Sequence, residues 1–447
     1  MIRVKYVGLS FMGWMLLCVV QFSSAEAQCV LKPSPLNWQQ KARLVATTTL
    51  LPRHFRKYRY RPPRRSFALA AKIVPGVGQP AFRYYSLGNT GFVESPRRFW
   101  PASTIKIWAA LGSLMTLKRM GVSGEARLLL FDPLGVFSGQ LHDLMKEITN
   151  ENYDRLLRVA GLKSLNSFSK SEKFGMDSLV VQRGYAGGSV RYSPTLRFQQ
   201  AGRSGKIRAR RWRRRHPKCR SNCTSLFAIQ EIVRRIGLHS QLPKKERFPI
   251  FTSDVERWKT QMLTYWKWTK DGIEAVLGRG AKIYNKAGSV PGNHFLDNSY
   301  IESNLGRFLL TVASPWPRRH YTVDLSLRNL NELARQTLNV VVSDSSPGPL
   351  LQPNAGRMKV KVAARARSSK RFTATVQAKG VSRLRAWIGQ RLLRVQNRGR
   401  GKFRLRGRFP QSGDQLLVLQ GYAGERLVSY RSQGFNVPSR GDTWNCY

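Results

Sequence analysis

The sequence predicts an α+β fold, an antiparallel sheet flanked by helices, followed by a small all-β sandwich. Three observations predict it. Phe67 to Val74 and Phe82 to Leu87 are rich in apolar and aromatic residues and are joined by Pro75-Gly76-Val77-Gly78, so they read as a hairpin leading into an apolar helix. After a mostly helical middle, Asn298 to Glu302 and Arg307 to Ala313 read as strands and Leu325 to Val340 as a closing helix. Beyond Val342 the pattern changes to short alternating runs separated by turn residues.

At 447 residues the chain has room for two or three domains, and 42% hydrophobic content excludes a disordered polymer. The charge is the oddity. Against 24 Asp and Glu stand 77 Lys and Arg, a net charge of +53. Such an excess favours polyanionic partners: nucleic acid, anionic lipid head groups or acidic cell-wall polymers.

Residues 1–27 narrow that choice. Arg3 and Lys5 precede an apolar run from Val7 to Val20, and the stretch ends in Ala25-Glu26-Ala27, so it reads as a secretory signal peptide whose cleavage leaves Gln28 first. The run is short for a membrane span and no later segment reaches eighteen apolar residues, so the expectation is export to the periplasm or the exterior without a span after cleavage. Leu16-Leu17 ahead of Cys18 argues against a lipoprotein. Export disfavours nucleic acid as a partner and favours anionic envelope polymers.

It also sets the reading of the cysteines Cys29, Cys219, Cys223 and Cys446, since an even number in an oxidising compartment implies two disulfides. The favoured pairs are Cys219 with Cys223, close in sequence, and Cys29 with Cys446, tying the ends together. A metal site at Cys219-x3-Cys223 with His216 lacks the second half of a ligand set. Neither metal nor cofactor is expected.

Residues 28–66 read as a basic N-terminal extension, with Arg53, Arg56, Lys57, Arg59, Arg61, Arg64 and Arg65 interleaved with Phe55, Tyr58 and Tyr60. It is either solvated or in contact with a polyanion. Pro101 then marks a helix start, and Ser103 and Lys106, three residues apart, share one face. The run from Ile107 to Leu117 is apolar nearly all round, which places this helix in the centre of a domain. Lys106 is the anomaly there. A lysine in such a run needs a partner or loses its proton, and a neutral amine beside a hydroxyl is a general base beside a nucleophile. The bland alternative is a snorkelling helix lysine. A second Ser-x-x-Lys, Ser167 to Lys170, lies in a polar stretch and reads as a loop accident.

Leu141 to Ile148 begins another helix, which passes Thr149-Asn150-Glu151 into Asp154 to Val159. From Ser178 to Gln230 there is no carboxylate, while Arg203 to Arg220 holds ten basic residues, a solvated loop or a basic anchor. Helical pattern resumes at Ser225 to Ile236. At Ala281 to Val290 a strand carries Lys286, then the small Ala287, then Gly288, which lets another backbone approach closely.

Ser103-Thr104-Ile105-Lys106, Thr149-Asn150-Glu151 and Lys286-Ala287-Gly288 fall in the order of the Ser-x-x-Lys, Ser-Asp-Asn and Lys-Thr-Gly elements of class A β-lactamases and penicillin-binding proteins. The stretch 67–342 thus resembles the class A β-lactamase-type serine hydrolase domain. The resemblance implies that Ser103 is acylated, that Lys106 is its proton partner, and that the Thr149 hydroxyl relays a proton to the leaving nitrogen. It also implies that Lys286 holds a substrate carboxylate and that the N–H groups of Ser103 and Ser289 form an oxyanion hole, with Gly288 and Glu151 along the substrate. Asn150 and Glu151 replace the family's Asp-Asn pair, and Ala287 lacks its hydroxyl. The family's deacylating glutamate would fall in the acid-free stretch after Asp177, so deacylation is expected to be slow; Glu172 and Asp177 are the candidate substitutes.

Residues 343–356, with Pro347-Gly348-Pro349 and Pro353, read as a linker, 357–436 as the sandwich and 437–447 as a tail. Seven runs, from Arg357 to Ala366 through Arg426 to Ser432, suggest an immunoglobulin-like type. Residues 357–408 carry eighteen basic side chains and no acidic ones. In Lys402-Phe403-Arg404-Leu405-Arg406 charge alternates with apolar residues, so one sheet face is expected to be strongly positive. Two hypotheses follow: an exported serine hydrolase acting on a β-lactam or D-alanyl peptide amide, or a catalytically degenerate envelope protein that binds anionic cell-wall or lipopolysaccharide polymers.

Overall fold

The computed structural model describes residues 28–88, 92, 100–132, 134–171, 174–187, 190–212, 219, 221–316, 322–365, 370–439 and 442. Residues 1–27, read above as a signal peptide, and Glu172, His216 and Cys446, and with it the Cys29–Cys446 pairing, lie outside the described residues. Two compact units result: residues 36–354 form one, and the segments up to Pro35 and from Ala355 form the other.

The short strand β1 (Gln28–Val30) belongs to the second unit. The larger unit begins with helices α1 (Trp38–Val45) and α2 (Leu50–Lys57). Asn37 caps α1 through a reciprocal pair of 2.8 Å bonds with Gln40. The stretch read as an extension is therefore folded. Its cations lie on the exposed side, while Leu51 and Phe55, four residues apart, join the core of the central sheet.

That sheet is antiparallel, in the order β10 (Lys282–Asn285), β12 (His294–Ser303), β13 (Gly306–Pro315), β2 (Phe67–Pro75), β3 (Pro80–Ser86), with β11 (Gly288–Val290) also on β12. The predicted hairpin pairs as expected, with Ala70 opposite Tyr85 and Ile73 opposite Phe82. Residues 102–105 form a 3₁₀ turn that opens α3 (Lys106–Arg119), in which every residue from Lys106 to Leu117 is buried. A smaller antiparallel sheet contains β4 (Arg127–Asp132), β5 (Gly135–Gln140), β7 (Leu196–Gln200) and β8 (Arg203–Ile207). The basic stretch after Arg203 is thus partly strand.

Where the sequence reads one continuous helix, two form: α4 (Leu141–Lys146) and α5 (Asn150–Ala160). The break is Thr149, whose extended backbone (ψ 179°) and side-chain bond from the Asn152 N–H make it an N-cap. The second Ser-x-x-Lys is not a loop. It ends helix α6 (Leu162–Ser169), with Ser169 buried against the Asn166 carbonyl. Helices α7 (Leu226–Gly237), α8 (Thr252–Met262), α9 (Lys270–Leu277) and α10 (Val323–Ser343) complete this unit, and Cys219 is disulfide-bonded to Cys223. No helix among the described residues is long and apolar enough to cross a membrane.

The second unit is all-β. One sheet runs β1, β14 (Met358–Arg365), β15 (Arg371–Ala378), β19 (Lys402–Arg408), β18 (Arg394–Asn397); the other runs β17 (Arg391–Leu392), β16 (Arg383–Ile388), β20 (Gly413–Ala423), β21 (Arg426–Val437). Val376, Phe403 and Leu405 of the first share one core with Ile388, Leu417 and Phe435 of the second, so the two sheets form a sandwich.

Candidate active site

Ser103 sits in the 3₁₀ turn, directly after Ala102, whose φ of 50° is left-handed. For a residue with a Cβ that conformation costs about 1–3 kcal/mol, so neighbouring contacts must hold it. One does: the Tyr185 hydroxyl donates to the Ala102 carbonyl at 2.9 Å.

Lys106, one turn on, is 5% exposed, and its Nζ donates to the Ile148 carbonyl at 2.9 Å. Burial first, and then the charge of Lys286, push its ammonium down to about 8, against the opposing pull of Glu151 and Asp154. A lysine with that value is about one-tenth neutral at pH 7. Lys286, 180 residues away in sequence, thus acts on Lys106 directly. Its own value is brought down to about 8 by burial, opposed by Asp297, and its Nζ rests on the Ala287 carbonyl at 2.8 Å.

Gly288 fixes the contact between strand and turn. A Cβ there would lie 2.4 Å from the Ser103 nitrogen and 2.9 Å from that of Thr104, so only glycine allows β11 this close. The Ser103 N–H and the part-exposed Ser289 are thereby brought to one edge of the site. The Thr149 hydroxyl accepts from the Asn152 N–H at 3.1 Å. Its own backbone N–H, then Thr149, hold the Glu151 carboxylate below its usual range, and Lys106 contributes. Asp177 is exposed; partial loss of solvent raises its carboxyl, and the charge of Lys170 opposes that.

Sequence reasoning missed the brace around this site. Asp154 of α5 is fully buried and accepts from the N–H groups of Tyr185 at 2.7 Å and Ala186 at 3.2 Å. A Cβ at Gly184 would meet that carboxylate at 2.3 Å. Asn222, inside the disulfide loop, accepts from the N–H groups of Gln182 and Arg183 and donates to the Tyr153 hydroxyl. Residues 182–186 are thus clamped between α5 and the disulfide loop, and Tyr185 passes that rigidity to Ala102. Among the described residues no three His, Cys, Asp or Glu side chains converge as a metal site.

The two lysines make opposite demands on pH. Lys106 must be neutral to take a proton, so acylation of Ser103 should rise with pH through about 8, while Lys286 must be charged to hold a carboxylate, so acylation should fall as it deprotonates near the same value. The expected profile is a narrow bell centred near pH 8. Lys286→Gln removes the descending limb and, because the Lys286 charge lowers Lys106, moves the ascending limb to higher pH. An ascending limb that stays in place in this variant would show that the two amines do not share a crevice.

A hydroxyl on a helix N-terminus, a lysine lowered to about 8 and a second lysine acting on it make up the side-chain layout of Ser-x-x-Lys acyl-transfer sites. No protein-family model and no curated protein matches the chain. Among solved structures it is similar to PBP-A, with 14% identity over 69% of this chain and 98% of that one and a TM-score of 0.46. It is also similar to a β-lactamase from Burkholderia vietnamiensis (15% identity, 66% of this chain, 97% of that one, TM-score 0.44). A third likeness is to a representative of class A β-lactamase from Bacteroides cellulosilyticus DSM 14838 (12%, 67%, 99%, 0.45). These are likenesses of backbone path, and the chemistry of the site stands on its own contacts.

Proposed function

We propose that this protein is an exported active-site serine hydrolase that forms an acyl-enzyme at Ser103 with β-lactam or D-alanyl peptide-type amides and releases it slowly. The observation that carries this reading is the action of Lys286 on the buried Lys106 beside a turn that Gly288 alone lets β11 touch. Neutral Lys106 takes the proton of the Ser103 hydroxyl as Oγ attacks the amide carbonyl. The resulting oxyanion is held by the N–H groups of Ser103 and Ser289, and Lys286 holds the substrate carboxylate by charge. Thr149 relays that proton, receiving it from the Lys106 ammonium as its own passes to the leaving nitrogen, which in a β-lactam stays tethered to the acyl group.

Release needs a base that activates water. Of the two carboxylates that act on Lys106, Asp154 is committed to two backbone amides and Glu151 stands in solvent, which supports slow release. The leader at 1–27, the periplasmic or exterior location and the immunoglobulin-like type of the sandwich belong to the same reading. A catalytically degenerate, polyanion-binding envelope protein is the second reading, favoured by one observation: the Thr149 hydroxyl already serves as the cap of α5, accepting from the Asn152 N–H.

Fluorescent penicillin separates the two. The hydrolase reading expects covalent labelling of the purified protein, with hydrolysis of a chromogenic cephalosporin limited to a few turnovers. An unlabelled protein at high probe concentration favours the scaffold, and rapid multiple turnover means that an efficient deacylating base is present.

A further inference from the structure

Strand β19 carries Lys402, Arg404, Arg406 and Arg408 on one face and Phe403 and Leu405 in the core. The neighbouring strands add to that face. Arg371 of β15 lies directly opposite Arg408, and Arg394 of β18 directly opposite Arg406. Like charges in such cross-strand positions are destabilising. Residues 357–408 contain no carboxylate, and these six cations form no ion pair among the described residues. Among the described residues the fold therefore holds two like-charge pairs with no paired counter-charge, and Arg371, Thr373, Arg404 and Arg406 wall a concavity of 320 Å³ between them.

We propose that this face binds an extracellular poly(glycerol phosphate)-type polymer. The chemistry of the cations selects phosphate, since guanidinium forks pair bidentately with phosphate oxygens. Their spacing selects a linear repeat. Alternate residues of a strand are separated by six backbone bonds and about 6.8 Å, and a glycerol phosphate repeat also has six bonds from one phosphorus to the next, so successive phosphates can meet successive cations of β19. A nucleic acid strand has a similar repeat but needs rings to stack on. The aromatic rings of 357–408, Phe372, Trp387 and Phe403, are all buried. Between the cations the face offers Thr373, Thr375 and Gln377, with nothing large and apolar to enter a bilayer. The inference is independent of chemistry at Ser103.

The test is fluorescence anisotropy of the full chain with a labelled synthetic glycerol phosphate hexamer. With about four phosphates contacted, the slope of log affinity against log salt should be about −3. Arg404→Gln/Arg406→Gln should weaken binding at least tenfold at fixed salt and make the slope shallower by about 1, while Lys244→Gln/Lys245→Gln, equal in charge and exposed, should change neither. Relief of the Arg394–Arg406 pair should leave the melting temperature of the arginine variant unchanged or higher; if that variant unfolds, Arg394→Gln alone should still weaken the hexamer severalfold. Equal losses in both double variants would reduce the effect to net charge and overturn the assignment. So would dT hexamer binding as tightly as the glycerol phosphate, or vesicles of 3:1 phosphatidylcholine and phosphatidylglycerol binding without competition from the hexamer.

Discussion

Lys106→Met is expected to leave a folded protein whose Ser103 acylates about a thousandfold more slowly. Methionine keeps an unbranched, apolar stem in a position that is 5% exposed, so α3 retains its packing and only the base is removed. Loss of a positioned general base typically costs 10²- to 10⁴-fold. Stability should move the other way. In the folded state the ammonium is lowered to about 8 from 10.5, so at pH 7 the fold holds a charge that burial disfavours, and the unfolded chain binds protons more readily between those values. The variant should therefore melt at the same or a higher temperature at pH 7, with the difference shrinking as pH rises from 8 towards 10.5. Ser103→Ala should abolish labelling outright. Single-turnover labelling paired with thermal melts checks both. A Lys106→Met protein that labels within tenfold of the parent would leave the lysine a snorkelling helix residue.

Gly288→Ala should cost both labelling and stability. Its Cβ would fall 2.4 Å from the Ser103 nitrogen, 2.9 Å from that of Thr104 and 3.0 Å from the Ala102 Cβ. No flexible side chain is there to yield, so either β11 or the 3₁₀ turn must shift. A shift displaces the N–H groups that face a developing oxyanion, where loss of one donor costs about 10²- to 10³-fold. Overpacking adds roughly 1–3 kcal/mol of destabilisation. Gly280→Ala, where a Cβ meets nothing within 4 Å, serves as the matched control and should leave both labelling and stability nearly unchanged. Labelling of Gly288→Ala at the parental rate would mean that the strand edge plays no part in the reaction.

What the sequence made legible followed from short-range pattern. The all-round apolar run at 107–117 announced a buried helix with one anomalous lysine, and the alternation of Lys402 to Arg408 announced a strand with a cationic face. The Cys219–Cys223 bond followed from proximity along the chain. Helix α2 did not, because seven cations between Arg53 and Arg65 masked the i, i+4 pair Leu51 and Phe55. Helix α8 was overlooked although Asp254, Trp258 and Met262 bury at a helical interval, since a buried acid breaks the apolar stripe; its carboxyl is hydrogen-bonded by His142 Nε2 at 3.0 Å, from another helix. The clamp on Tyr185 was out of reach for the same reason. Asp154, Asn222 and Ala102 are joined by hydrogen bonds between distant segments, and no local periodicity encodes such partners.

The most direct test of the central claim is the intact mass of the full chain after incubation with benzylpenicillin, followed over time and mapped by proteolysis. If Ser103, Lys106 and Lys286 form one acylating crevice, the protein should gain the mass of one whole penicillin, carried on the peptide that contains Ser103 and lost only slowly. A protein that gains no mass, or gains it on a peptide without Ser103, would contradict the account.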